Sequence, residues 1–259
     1  VRSAEIYDPK TGQWTLTSSM SYARENPTAT LLRNGKVLVV GGYSVDGNCC
    51  ALSSAEIFDP KTGTFSITGS MAVARRNHTA TLLRDGRVLV AGGYNGVNGD
   101  ATGSGNVNAP ELYDPAVGTF DPTGNMSSAR RYPTATVLLN GKVLITGGGD
   151  STNAALSSAE TFKSQTGAFT LTGSMLTPRA RHTATRLLDG KVLIAGGYGN
   201  GGNTIAAAEL YDPVTGGFAP TGSMAVTRYR HTETRLMNGD VLIAGGSDGT
   251  TAVASAEIY

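Results

Sequence analysis

Five letters, Ser-Ala-Glu-Ile-Tyr, stand at residues 3–7 and again at 255–259. They are the two ends of an internal repeat, and a repeat of this period constrains the fold more than any single residue does. Gly-Gly pairs fall at 41–42, 92–93, 147–148, 196–197 and 245–246. An arginine precedes each pair by the same interval: Arg24, Arg75, Arg130, Arg179 and Arg228. Glutamates recur at Glu5, Glu56, Glu111, Glu160, Glu209 and Glu257. An aromatic follows the first five, at Trp14, Phe65, Phe120, Phe169 and Phe218. One unit of about 50 residues is thus repeated five times, with a sixth copy of its opening.

Each unit reads as four short strands, a to d. In the second, His78–Leu83 is strand a, Arg-Asp-Gly-Arg closes a tight turn, and Val88–Gly93 is strand b. Strand c is the Ser-Ala-Glu segment, as at 54–58, and Asp-Pro-Lys-Thr-Gly turns the chain into strand d at 64–68. No stretch carries helical periodicity over a useful length.

Four-stranded units of this period, with Gly-Gly after the second strand, an aromatic in the fourth and a recurring arginine, resemble the kelch repeat, in its bacterial-type form. The resemblance spans nearly the whole chain. It implies an all-β fold, a β-propeller of four-stranded blades, in one domain over residues 1–259 with repeats starting near 3, 54, 110, 158 and 208 and a partial repeat at 255–259. Counting strands gives five blades, the last closed by strands from both termini. Residues 3–7 and 255–259 compete for one c slot there. The N-terminal segment is expected to win, because it enters with its d strand as a ready hairpin. The surplus 255–259 would then be free to pair in an oligomer, or in a larger strand-exchanged assembly.

The a–b and c–d turns lie on one face and are nearly constant. The b–c and d–a loops lie on the other and hold the length variation, so that face is expected to bind ligand. Two sets of arginines reach it. Arg24, Arg75, Arg130, Arg179 and Arg228 recur in every unit and are expected to be structural, pairing with Glu5, Glu56, Glu111, Glu160 and Glu209. Arg76, Arg131, Arg181 and Arg230 do not recur in every unit. With Tyr132 and Tyr229 they are the candidate ligand-binding residues. The kelch resemblance implies that loop arginines on this face hold acidic peptides, and anionic glycan groups would suit the same charge.

Other chemistry is thinly represented. His78, His182 and His231 share one repeat position, which favours strand-start hydrogen bonding over a metal site. Arg186, Glu233 and Arg235 replace apolar residues on strand a and are expected to form a local ion-pair group. Asp/Asn/Gly loops at 46–48 and 95–100 could offer oxygens to calcium without matching an EF-hand; no other cofactor is implied. Gly197–Gly202 contains G-x-G-x-x-G but opens no helix, so a nucleotide reading fails. Cys49 and Cys50 are neighbours in a loop and form no disulfide framework. The net charge of +1 implies no nucleic-acid partner, and no apolar run is long enough to span a bilayer.

The reading is a non-catalytic binding or structural module for a protein or carbohydrate ligand, at an extracellular or cell-surface location. The alternatives are a secreted carbohydrate-active or galactose-oxidase-like enzyme, or its accessory domain.

Overall fold

The computed structural model describes residues 1–44, 50–96 and 105–259. The chain is all-β and divides into two compact units, Val1–Thr123 and Gly124–Tyr259.

The first unit opens with β1 (Glu5–Asp8) and β2 (Gln13–Leu16), a hairpin that forms a two-stranded sheet of its own. Blade 1 follows as β3 (Thr28–Leu31), β4 (Val37–Val40), β7 (Ala55–Asp59) and β8 (Thr64–Ile67). Its b–c loop carries a small ladder, β5 (Tyr43–Ser44) with β6 (Cys50–Ala51). Blade 2 is β9 (Thr79–Leu82), β10 (Val88–Ala91), β11 (Glu111–Asp114) and β12 (Thr119–Pro122).

In the second unit, blade 3 is β13 (Thr134–Val137), β14 (Val143–Thr146), β15 (Ala159–Lys163) and β16 (Ala168–Leu171). Blade 4 is β17 (Thr183–Arg186), β18 (Val192–Ala195), β19 (Ala208–Asp212) and β20 (Gly217–Thr221). Blade 5 has three strands: β21 (Thr232–Arg235), β22 (Val241–Ala244) and β23 (Ala256–Ile258).

The c slot of blade 5 is therefore filled by 256–258, and not by the N-terminal segment as the repeat count suggested. The reason is connectivity. β23 follows its own b strand through a short loop, so it closes the sheet at small entropic cost. It also brings Glu257 to Arg228 (2.7 Å), a partner that the N-terminal copy would have had to replace. Glu5 lies exposed on β1, and the fifth Arg–Glu pair is made by Glu257.

Strand b is apolar on both faces because it is covered on both. Leu38, Val40, Val88, Leu89, Val90, Val192, Leu193 and Ile194 are all fully buried. Between blades 1 and 2, Leu38, Val40, Ala55, Met71, Val88, Val90 and Tyr113 form one core, against which Phe120 packs. Between blades 3 and 4, Leu144, Ala159, Met175, Val192, Ile194 and Tyr211 do the same, with Phe218.

Each Arg–Glu pair sits at the root of its blade. Arg130 is typical. Its Nη2 donates to Glu160 Oε1 at 2.9 Å, its Nη1 donates to the carbonyls of Gly147 and Ser158, and the N–H of Ser127 donates to Glu160 Oε2. The fork of guanidinium donors thus ties the d–a loop, strand b and strand c together. Arg24 with Glu56, Arg75 with Glu111 and Arg179 with Glu209 repeat the arrangement, at 3.0, 2.6 and 2.6 Å.

The double glycine joins neighbouring blades. The N–H of Gly148 donates to the Arg179 carbonyl of the next blade (2.9 Å), and Gly197 donates to Arg228 likewise. A Cβ on Gly147 would stand 2.3 Å from the Arg179 carbonyl oxygen, and both glycines have positive φ. Glycine is required there by close approach as well as by conformation.

Candidate functional site

Within each unit the d–a and b–c loops meet through isolated antiparallel bridges. Arg76 pairs with Tyr94, Arg131 with Gly149, Ala180 with Tyr198 and Tyr229 with Ser247. The residue after each bridging d–a position takes a left-handed backbone: Asn26, Asn77, Tyr132, Arg181 and Arg230, with φ between 51° and 56°. Asparagine accepts that conformation readily, whereas bulky side chains pay roughly 1 kcal/mol or more for it. Blades 1 and 2 use asparagine. Blades 3, 4 and 5 place tyrosine or arginine in the strained position.

In the second unit this brings the candidate residues together. The N–H of Arg181 donates to the Tyr132 carbonyl (3.3 Å), and that of Arg230 to the Arg181 carbonyl (3.1 Å). The Arg181 guanidinium lies over the Tyr132 ring at 4.3 Å and 5.8 Å from that of Tyr229; Arg230 reaches Tyr229 at 5.9 Å. Tyr198 meets Tyr229 edge-on at 5.4 Å. The result is an alternating cationic and aromatic strip in which stacking holds the guanidinium planes while leaving their N–H edges available. Arg230 is exposed, and Tyr132, Arg181 and Tyr229 are half-buried. Arg131 lies near Asp150. Partial burial raises the Asp150 pKa, but hydrogen bonds from Thr152 and Ala154 and the Arg131 charge outweigh it and hold the carboxyl below its ordinary value.

In the first unit Arg76 is gripped between Tyr43 (4.7 Å) and Tyr94 (5.2 Å), both buried. Sequence reasoning missed these tyrosines and Tyr198. Their signal is the recurring Gly-Gly-Tyr at 41–43, 92–94 and 196–198, which places an aromatic at the first residue of the b–c loop.

The histidines are committed to the scaffold. Nε2 of His78 bonds Thr28, that of His182 bonds Thr134 and Thr146, and that of His231 bonds Thr183. Burial, helped by the neighbouring arginines, lowers all three: His78 to about 3, His231 to about 4, and His182 well below its ordinary value. Among the described residues no group of three or more His, Cys, Asp or Glu side chains is gathered where a metal ion could be held. The calcium candidates at 46–48 lie outside the described residues, as does most of 95–100. Cys50 is exposed with a free thiol, and Cys49 lies outside the described residues. No helix of the described residues is long and apolar enough to cross a membrane.

The expected Arg186–Glu233–Arg235 group does not form. Side chains alternate along a strand, so Arg186 points away from β21 and donates to the Val137 carbonyl (2.8 Å). Glu233 faces Thr183 and Thr185 instead, with both carboxylate oxygens buried and no cation among the described residues paired with them. Burial pushes its pKa up to about 7, tempered by the two threonines. Between pH 4.5 and 7 the folded chain keeps a proton that the unfolded chain has lost, so this carboxyl destabilises the fold as pH rises through that window. The other four blades have alanine here. Glu233→Ala is expected to raise stability by about 3 kcal/mol at pH 8 and by almost nothing at pH 4, as read from urea unfolding at the two pH values.

A family model for the kelch motif matches residues 27–72 and 130–176. The chain is 34% identical over 96 residues to Spermatocyte protein spe-26 of Caenorhabditis elegans, covering 37% of this chain and 16% of that protein. It is 32% identical over 139 residues to F-box/kelch-repeat protein At4g39580 of Arabidopsis thaliana, covering 53% and 33%. Identity to Kelch-like protein 15 of Homo sapiens is 31% over 139 residues, covering 51% and 20%. The chain thus spans a third or less of the length of these relatives. The solved structure of YjhT, at 16% identity, aligns with a TM-score of 0.76 over 95% of this chain and 84% of that one, a likeness of β-propeller fold.

Proposed function

We propose that this chain, a kelch-repeat β-propeller protein, is a protein-binding module that takes an acidic peptide segment on its d–a and b–c loop face. The observation that carries the reading is the row Tyr132, Arg181 and Arg230. Three large side chains occupy left-handed positions where asparagine suffices in blades 1 and 2. Local strain kept at one place on a regular scaffold supports a role in recognition. The chemistry fits a carboxylate-bearing partner: two guanidinium groups, oriented by aromatic stacking, offer planar donor pairs to Asp and Glu side chains.

The test separates binding from folding. Arg181→Asn and Arg230→Asn place the residue of blades 1 and 2 in the strained position. Each is expected to leave the melting temperature unchanged or slightly raised, while weakening binding of a Glu-rich fluorescent peptide at least about tenfold. Affinity of the parent chain should fall steeply with added salt. Unchanged affinity in both variants would exclude this face.

A further inference from the structure

Blade 3 breaks the repeat on its third strand. Blades 1, 2 and 4 read Glu-Ile-Phe-Asp at 56–59, Glu-Leu-Tyr-Asp at 111–114 and Glu-Leu-Tyr-Asp at 209–212, whereas blade 3 reads Glu-Thr-Phe-Lys at 160–163. Thr161 thus replaces an apolar residue and Lys163 replaces an aspartate. The two are two residues apart, so they share one face of β15. Register adds two more residues to that face. Thr161 pairs with Thr170 of β16. Val143 pairs with Phe162, so Lys142 stands opposite Lys163.

The other blades show what this position ordinarily holds. A cation at the start of strand b stands opposite the aspartate of strand c: Lys36 and Asp59, Arg87 and Asp114, Lys191 and Asp212. In blade 1 the two form an ion pair at 3.0 Å. In blade 3 the partner is a second cation, and like charges directly opposite on a sheet are destabilising. Among the described residues no carboxylate pairs with Lys142 or Lys163. Thr161 is only 8% exposed, yet among the described residues nothing hydrogen-bonds its hydroxyl.

These groups meet at a groove. Lys142, Thr161, Thr170 and Leu171 of blade 3, with Pro213 and Val214 from the c–d turn of blade 4, line a cavity of about 220 Å³. The equivalent groove between blades 1 and 2 has Ile57 in place of Thr161, and Lys36, already neutralised by Asp59, in place of Lys142. The groove of blade 3 therefore has unbalanced positive charge and hydroxyl donors on one side. On the other, Leu171 (62% exposed) and Val214 (91% exposed) form an apolar lip. The cavity is smaller than the roughly 300–1,000 Å³ of sites that enclose a drug-sized ligand, so it suits one group of a larger molecule.

We propose that this groove binds a phosphate monoester, whose phosphoryl oxygens accept from the Lys142 and Lys163 ammonium groups and the Thr161 and Thr170 hydroxyls while its organic body rests on Leu171 and Val214. The choice of anion follows from the donors. Lysine acts as a point charge and suits a tetrahedral oxyanion, whereas the guanidinium fork matches a planar carboxylate. A phosphate monoester carries nearly two negative charges at neutral pH, which two lysines balance. Lys142 precedes β14 and the Arg131–Gly149 bridge follows it, so the groove and the arginine strip lie at opposite ends of that strand. The site does not depend on the peptide-binding reading.

The test is calorimetric titration of the 259-residue chain with phenyl phosphate at low salt, with phenyl sulfate and benzoate as matched monoanions. Expected are one saturable site and an affinity for phenyl phosphate at least about tenfold above either monoanion. Affinity should fall as pH drops through about 6, where the ester gains its second proton. Lys163→Asp and Thr161→Ile restore the residues of blade 1. Each is expected to melt no lower than the parent chain while losing at least about tenfold in affinity. Arg181→Asn combined with Arg230→Asn should bind phenyl phosphate as the parent does. Parent-like affinity in Lys163→Asp and Thr161→Ile, loss of binding in the strip variant instead, or no binding up to millimolar concentration overturns the proposal. Inorganic phosphate is expected to bind more weakly than the phenyl ester; equal affinity overturns the ester in favour of free phosphate.

Discussion

Arg130→Met is expected to destabilise the chain by about 3–5 kcal/mol, a large share of the stability of an ordinary domain. The loss comes from Glu160, whose carboxylate stays buried with only the Ser127 N–H to solvate it. Adding Glu160→Leu tests the origin of the effect. If the pair alone mattered, two apolar residues of similar volume would restore stability. Here they should restore it only partly, because the Gly147 carbonyl and the Ser127 N–H lose their side-chain partners. Chemical denaturation of the parent and of both single and double variants gives the coupling directly. Full recovery in the double variant would show that the backbone ties contribute nothing.

Acid unfolding should be steep and histidine-driven. His78 has an ordinary pKa of 6.5 when unfolded and about 3 when folded. Its depressed value means that the unfolded chain binds the proton first, so stability falls as pH drops below about 6.5 and continues to fall towards 3. By pH 5 this one residue costs about 2 kcal/mol. His231, at about 4, and His182 act in the same direction. His78→Asn, which keeps a hydrogen-bonding side chain towards Thr28 without the titration, should flatten the dependence of melting temperature on pH between 7 and 5. A curve parallel to that of the parent chain would assign acid sensitivity elsewhere. Glu233 acts over an overlapping window, between 4.5 and about 7, but with the opposite sign, so its removal and that of a histidine should change the slope of the profile in opposite directions.

What the sequence made legible was whatever recurs. Strand positions, Gly-Gly turns and most Arg–Glu partners follow from periodicity, since each is a local decision repeated in the same surroundings. β10 at Val88–Ala91 lies within the expected strand at 88–93. The arginine strip was partly legible. Arg181, Arg230, Tyr132 and Tyr229 stand out because they break the repeat. That they touch depends on a left-handed turn that no residue type in blades 3–5 announces. Tyr43 and Tyr94 went unread because they recur, and recurrence looks like scaffold. The c slot of blade 5 was misassigned for a different reason. Two identical segments competed for it, and identity of sequence carries no information about which is nearer. Glu233 was visible as a departure, but its isolation follows from the phase of a neighbouring strand that sends Arg186 the other way.

The ties between blades have a further consequence. Within each unit the donor at one repeat position meets an acceptor at a fixed position of the next repeat: Gly42 with Arg75, Gly148 with Arg179, Gly197 with Arg228, and Thr28, Thr134 and Thr183 with the histidine ahead. Such wiring has the logic of a tiling. A tandem duplication of a histidine-bearing repeat would present each of these new donors with an acceptor already in place, so a gene encoding this pattern can lengthen by single recombination steps without first passing through an unbonded intermediate.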